Sequence, residues 1–162
     1  MVVGGNAASQ GRWPPLWPYE FNLRCDRRAA VRVFASHVPI TVVPLDVGRR
    51  LLLPRALLEA LSGRFGDHAR MHTGRWFARA RRLFRRDAIR LYDLLAVAAV
   101  LLPAAVHCVN GRVHMHRRGW LEFGASGRPV RIVCAFDDAV LGLLTIPGAL
   151  PARAAPKQST CA

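Results

Sequence analysis

The chain has 162 residues, 52% of them apolar, and a formal net charge of +14. That length and apolar share suit one domain with a buried core and exclude general disorder. Arginine carries nearly all the charge, Lys157 being the only lysine; such a charge fits nucleic acid or an acidic surface as partner, although the arginines are spread along the whole chain.

Val2 and Val3 read as the end of a buried strand running into Gly4-Gly5. Residues 6–19 read as a loop, because Pro14, Pro15 and Pro18 block regular structure. Asp26 is a plausible N-cap, and Ala29, Ala30, Val33 and Phe34 then recur at helical spacing to about Ser36. His37 and Pro39 end that helix. The run ITVVPLDV (40–47) is apolar and rich in β-branched residues, as in a strand buried on both faces. A helix followed by a buried strand points to an α/β sheet.

Pro54 to Leu61 predicts a short helix with proline in its first turn. Residues 67–86 predict a strongly basic helix whose apolar side is Met71, Trp76, Phe77, Leu83 and Phe84. Residues 88–102 predict the most apolar helix, ended by Pro103. Residues 112–123 fit a hairpin or irregular strands, and PVRIVCAF (129–136) alternates as a strand. Asp137 is expected to cap a last helix through about Leu144, and residues from 147 have tail composition. The longest apolar run, Leu94 to Val106, contains Pro103 and is shorter than the roughly 20 residues of a membrane span. The N-terminal stretch has neither the basic region nor the apolar run of a signal peptide. A soluble, cytoplasmic protein is the expectation.

Four cysteines stand far apart with no CxxC pair, so a zinc ribbon or redox motif is excluded. Cys25, Cys108 and Cys134 are expected as packed thiols. His68 and His72 share a helix face, but the residues between them supply no glutamate base, so a solvated face explains them better than zinc. His114 and His116 alternate on a possible strand near Cys108, with nothing to supply a fourth ligand. The arginines of 67–86 could follow a phosphate backbone; the charged outer face of an α/β domain is the simpler reading.

Asp93 is different. It stands at the start of the most apolar segment, where a lone carboxylate is costly unless it is capped, paired or bound to a metal. It could cap the helix that follows or act as a hard oxygen ligand for a cation. The trio Glu20, Phe21 and Asn22 also reads two ways: Asn22 closing a turn with Glu20 solvated, or two polar groups gripping vicinal hydroxyls while Phe21 covers an apolar sugar face.

Several pieces together resemble the second half of the nucleoside hydrolase family, the inosine-uridine preferring N-ribohydrolases. They are Gly4-Gly5, Gly11-Arg12, EFN (20–22), DRRAAVRVF (26–34) and PITVVPLDV (39–47), then LYDLLAVAAVLLP (91–103) and, more weakly, RPVRIVCAFDDAVLGLL (128–144). The resemblance implies a Rossmann-like layered α/β domain, a central sheet with flanking helices, of which residues 1–146 are the C-terminal part, the N-terminal half being absent and 147–162 a flexible tail. It implies hydrolysis of the N-glycosidic bond of a ribonucleoside through an oxocarbenium-like transition state. Calcium would hold a water and the ribose hydroxyls.

Carried over residue by residue, Glu20 and Asn22 would hold ribose hydroxyls and Phe21 would line the pocket. Asp93 would be a calcium ligand. Tyr92 stands where the family has a histidine proposed as leaving-group acid; a phenol, with an ordinary pKa of about 10, suits that work poorly at neutral pH. The family's asparagine before EFN falls on Pro14. Its aspartate-rich N-terminal motif is unmatched here, so most calcium ligands are missing and the single chain is expected to be incomplete or inactive. A nucleoside bound by its ribose is the implied ligand, with a separate N-terminal half or a second copy as partner. The alternatives are an arginine-rich nucleic-acid binder and a non-catalytic protein that completes a sheet with another chain.

Overall fold

The computed structural model describes residues 1–7 and 21–144, apart from the side chains of Arg64 and Phe65. Most of the predicted 6–19 loop, Glu20 and the tail predicted from 147 lie outside the described residues. The described chain runs β1 (Val2–Val3), α1 (Phe21–Cys25), α2 (Arg27–Ala35), β2 (Thr41–Val43), α3 (Leu45–Gly48), β3 (Leu52–Pro54), α4 (Arg55–Ala60), α5 (Gly63–Phe84), β4 (Ala88–Arg90), α6 (Tyr92–Leu101), β5 (Val106–His116), β6 (Trp120–Gly124) and β7 (Arg128–Phe136). Short 3-10 segments cover Pro103–Ala105 and Asp138–Leu144.

Five strands form one mixed sheet in the order β1-β2-β7-β5-β6, and β3 and β4 form a separate antiparallel pair. β1, β2 and β7 are parallel, while β5 runs antiparallel to both of its neighbours. The two-residue alternation of strand side chains sorts the core into two layers. Val42 and Ile132 face α1 and α2, packing with Leu23 and Phe34. Val43 and Val133 face the other way, onto Val47 of α3 and Leu95 and Ala98 of α6. The result is the expected layered α/β arrangement.

α2 begins as the sequence predicts. The Asp26 carboxylate accepts a hydrogen bond from the Ala29 amide at 2.9 Å, satisfying one of the free N–H groups of the first turn. At its far end the Arg128 guanidinium donates to the carbonyl of Phe34 at 3.0 Å and to that of Val38, joining the start of β7 to the end of this helix. A cation there also complements the helix dipole.

Several expectations are corrected. The run 40–47 is not one strand: Pro44 has no N–H to donate to a ladder, and the chain turns there from β2 into the one-turn helix α3. A short helix, α1, precedes Asp26. Residues 88–90 are strand β4 rather than the start of the apolar helix, because they pair with Leu52–Pro54. The predicted hairpin is present but β5 begins earlier, at Val106. The last helix is 3-10, and the Asp137 carboxylate meets His107 Nε2 at 3.1 Å. Cys25 and Cys108 are free thiols, but only Cys108 is partly packed; Cys25, at the end of α1, is exposed. Cys134 is not a free thiol: it is disulfide-bonded, although half-buried on β7 as a packed residue would be. Among the described residues no helix is long and apolar enough to cross a membrane.

Candidate active-site cleft

Three chain reversals converge at one end of the parallel strands. β1 runs into Gly4-Gly5, whose backbone continues the pairing: Gly4 N–H donates to the Val43 carbonyl at 3.0 Å and Leu45 N–H to the Gly5 carbonyl at 2.8 Å. The Asp46 carboxylate accepts from the Ala7 amide at 3.0 Å, tying α3 to the chain leaving β1. The Leu91 amide donates to the Leu51 carbonyl at 3.0 Å, which sets the start of α6 beside the end of α3.

Between these reversals and α5 lies a cleft of about 710 Å3. Its volume is in the range that takes a small molecule. Phe21 and Asn22 of α1 and Tyr92 and Asp93 of α6 all line it. The structure therefore brings together four residues that the sequence places some seventy positions apart. Glu20 lies outside the described residues.

Each of the four is held differently. The Asn22 side-chain amide donates from Nδ2 to the Val3 carbonyl at 3.0 Å. That bond commits one N–H to β1 and leaves Oδ1 as an acceptor. Phe21 is 73% exposed, so its ring has an open face. Tyr92 is half-buried and packs on Gly48, where a Cβ would stand 2.8 Å from Tyr92 Cδ1. Asp93 is exposed in the first turn of α6 and makes no hydrogen bond or ion pair among the described residues. It is not the helix cap; the N-cap is Leu91, with no side-chain hydrogen bond. A carboxylate in that first turn is favoured by the helix dipole, which supports its charge without taking up its oxygens.

The Gly48 contact gives a test. Gly48→Ala is expected to displace the Tyr92 ring and to cost about 1–3 kcal/mol of stability, as overpacking does. Chemical denaturation of the variant checks the cost, and an unchanged midpoint would show that the ring is not confined there.

The sequence reading did not find the opposite wall. Thr73, Trp76, Arg79, Ala80 and Phe84 of α5 line the cleft, with Arg49, Arg86 and Arg90 around it. The signal was present: 73, 76, 80 and 84 follow helical spacing, so one stripe of this basic helix faces inward. Other parts of α5 turn elsewhere. Arg70 donates to the Leu61 carbonyl at 2.6 Å and pairs with Asp67. His68 and His72 have ring centroids 4.3 Å apart, outside the cleft lining. His116 stacks on Trp120 and bonds Glu122 at 2.8 Å, also away from the cleft. Among the described residues no three or more His, Cys, Asp or Glu side chains gather as a metal site.

The sequence profile of inosine-uridine preferring nucleoside hydrolases matches residues 1–141. The chain belongs to this nucleoside hydrolase family. The non-specific ribonucleoside hydrolase RihC of Klebsiella pneumoniae (strain 342) is 31% identical over 150 residues, covering 88% of this chain and 48% of the relative. RihC of Escherichia coli O1:K1 / APEC is 26% identical over the same share. Among solved structures, a plant nucleoside hydrolase, the PpNRh1 enzyme, superposes with a TM-score of 0.69 at 22% identity, over 78% of this chain and 46% of its own. The inosine-uridine preferring nucleoside hydrolase of Bacillus anthracis gives 0.62 at 19% identity, over 89% and 49%. These two likenesses show the fold. The chain spans about half the length of the nucleoside hydrolases it matches.

Proposed function

We propose that this nucleoside hydrolase chain binds a ribonucleoside by its sugar in the cleft, as the ribose-side part of an N-ribohydrolase site. The observation that carries the reading is the convergence of Asn22 and Asp93 on one cleft from the starts of two different helices. Asn22 Oδ1 accepts from a ribose hydroxyl while its Nδ2 stays on the Val3 carbonyl. The open Phe21 ring covers an apolar face of the ligand. Tyr92 donates a hydrogen bond toward the base, and Glu20 joins Asn22 on the hydroxyls by family resemblance. Residues 1–146 are taken as the part of the family unit that this chain supplies.

Calcium is the metal that the resemblance implies, and the described residues do not by themselves fit it. Calcium takes roughly 6–8 oxygen ligands, and Asp93 is the one carboxylate among the described residues lining the cleft. No step through a metal is therefore assigned to this chain. Asp93 would contribute one oxygen to a set completed from outside the described residues, together with the group that activates water.

Calorimetric titration of the 162-residue chain with inosine and with uridine is expected to give saturable binding. Asn22→Ala should weaken it roughly three- to tenfold, the worth of one hydrogen bond. No ribose should be released. Release of ribose in the presence of calcium, lost in Asp93→Ala, would overturn the incomplete-site part of the proposal; no saturable binding of either nucleoside would overturn the sugar-binding part.

A further inference from the structure

We propose that the outer face of α6 and the open edge of β1 form one docking surface, whose occupant is the part of the nucleoside hydrolase unit that this sequence does not span. The surface is independent of which ligand the cleft holds. From Leu94 to Leu101 every residue of α6 is apolar. A helix that is apolar all round is covered on all sides in a finished assembly. Here one side is covered: Leu95 and Ala98 have no exposed surface and share a buried cluster with Val43 and Val133. On the other side Val97 is 46% exposed, Val100 64% and Leu101 37%.

These exposed side chains are not scattered. Asp93, Val97, Val100 and Leu101 follow i, i+4, i+7, i+8 spacing, so they form one stripe along α6. The stripe starts in the cleft, at the carboxylate that has no partner among the described residues. A partner seated on the valines therefore reaches Asp93. The edge of β1 adjoins this face, because α6 and β1 are in contact and Val3 packs against the cluster that holds Leu95. Among the described residues β1 pairs with β2 alone. Such an edge offers backbone N–H and C=O groups to a further strand. The Val3 carbonyl, which holds the Asn22 amide, keeps a second lone pair. A strand added parallel to β1 ends where β1 runs into Gly4-Gly5, at the cleft. In open α/β sheets that is the end at which ligands are met.

Two observations identify the occupant. This chain spans 48% of the Klebsiella pneumoniae RihC and 46% of the plant nucleoside hydrolase, so about half of the family unit remains to be placed against it. A second copy fits poorly. It brings the same half again, and two chains each carrying +14 repel one another. A polypeptide with a strand for β1 and an apolar helix face for α6 covers both open features at once.

The test co-expresses the 162-residue chain, tagged, with the remainder of the Klebsiella pneumoniae RihC, the part outside the 150 matched residues. A complex that survives high salt is expected, because the surface is apolar and salt screens only charges. The double variant Val97→Glu, Val100→Glu should lower the co-purified RihC part about tenfold or more, since docking would bury two unpaired carboxylates. Alone, that variant should melt close to the unaltered chain, because both side chains are exposed. Met71→Glu, at an exposed position of α5, should leave the complex intact. Failure of the RihC part to co-purify would overturn the proposal. A large fall in the melting temperature of the double variant would also overturn it, because the face would then be covered within the chain already. Equal loss in Met71→Glu would reduce the complex to non-specific adhesion. A dimer of the chain alone that the double variant splits would give the surface to a second copy instead.

Discussion

Phe77→Ala is expected to lower the unfolding free energy by about 3–5 kcal/mol, a large share of the 5–15 kcal/mol typical of a whole domain. Phe77 has no exposed surface and packs with Leu53, Leu58 and Leu61. The Arg55 guanidinium lies 4.5 Å from its ring centre, closing the site from outside. Truncation removes that apolar area and leaves a cavity which the short elements β3 and α4 can only partly fill. The consequence reaches the cleft, because the neighbouring residue Trp76 and the next turn, Arg79 and Ala80, line it. Ligand affinity should therefore fall along with stability. Guanidinium denaturation of Phe77→Ala beside Trp76→Ala checks this. Trp76 is mostly exposed, so its loss should leave the midpoint nearly unchanged while weakening ligand binding. Equal destabilisation by both variants would show that α5 is not seated on Phe77.

Gly66→Ala and Gly74→Ala are expected to act with opposite signs although both lie in α5. At Gly66 a Cβ would stand well inside contact distance of the Leu61 carbonyl. The obstacle is backbone, so α4 and α5 would have to separate, at a cost near the upper end of the 1–3 kcal/mol range for overpacking. At Gly74 a Cβ would meet nothing within 4 Å. Alanine there spares the unfolded-chain entropy of glycine in a helix and should stabilise by about 0.5–1 kcal/mol. Thermal melts of the two variants read the difference directly, and two shifts of the same sign would contradict this seating of α5.

Both tests concern the wall that the sequence reading left as a charged outer face. The reason is physical. Seven arginines between 70 and 86 give the helix a polar average, which outweighs the helical spacing of Thr73, Trp76, Ala80 and Phe84 until a facing surface is known. That surface is built from α1, α3 and the start of α6, from quite different parts of the chain. Arg79, on the same helix, differs from Arg70 only in where the helix places it.

The same distinction runs through the fold. Signals carried by neighbouring residues were legible in advance: the Asp26 cap, the helical spacing of Ala30 and Phe34, the alternation of 129–136, Pro54 opening α4. Signals that depend on distant pairing were not. Residues 88–90 are a strand because 52–54 lie beside them, and nothing in Ala88-Ile89-Arg90 alone opposes a helix. Pro44 divides an apolar run that composition reads as continuous.

For the cleft, the sequence by itself determined the candidate residues: Phe21, Asn22 and Asp93 stand out by type and setting, and family resemblance added Tyr92 and named them together. Only the tertiary structure decided that they share one cleft, that Asn22 spends one donor on β1, that Asp93 is not a cap and has no partner among the described residues, and that four arginines line the same cleft. Local sequence sets what a side chain can do chemically. Which other charges it meets is set by the packing of elements far apart in the chain, because salt screens exposed charges beyond roughly 8–10 Å.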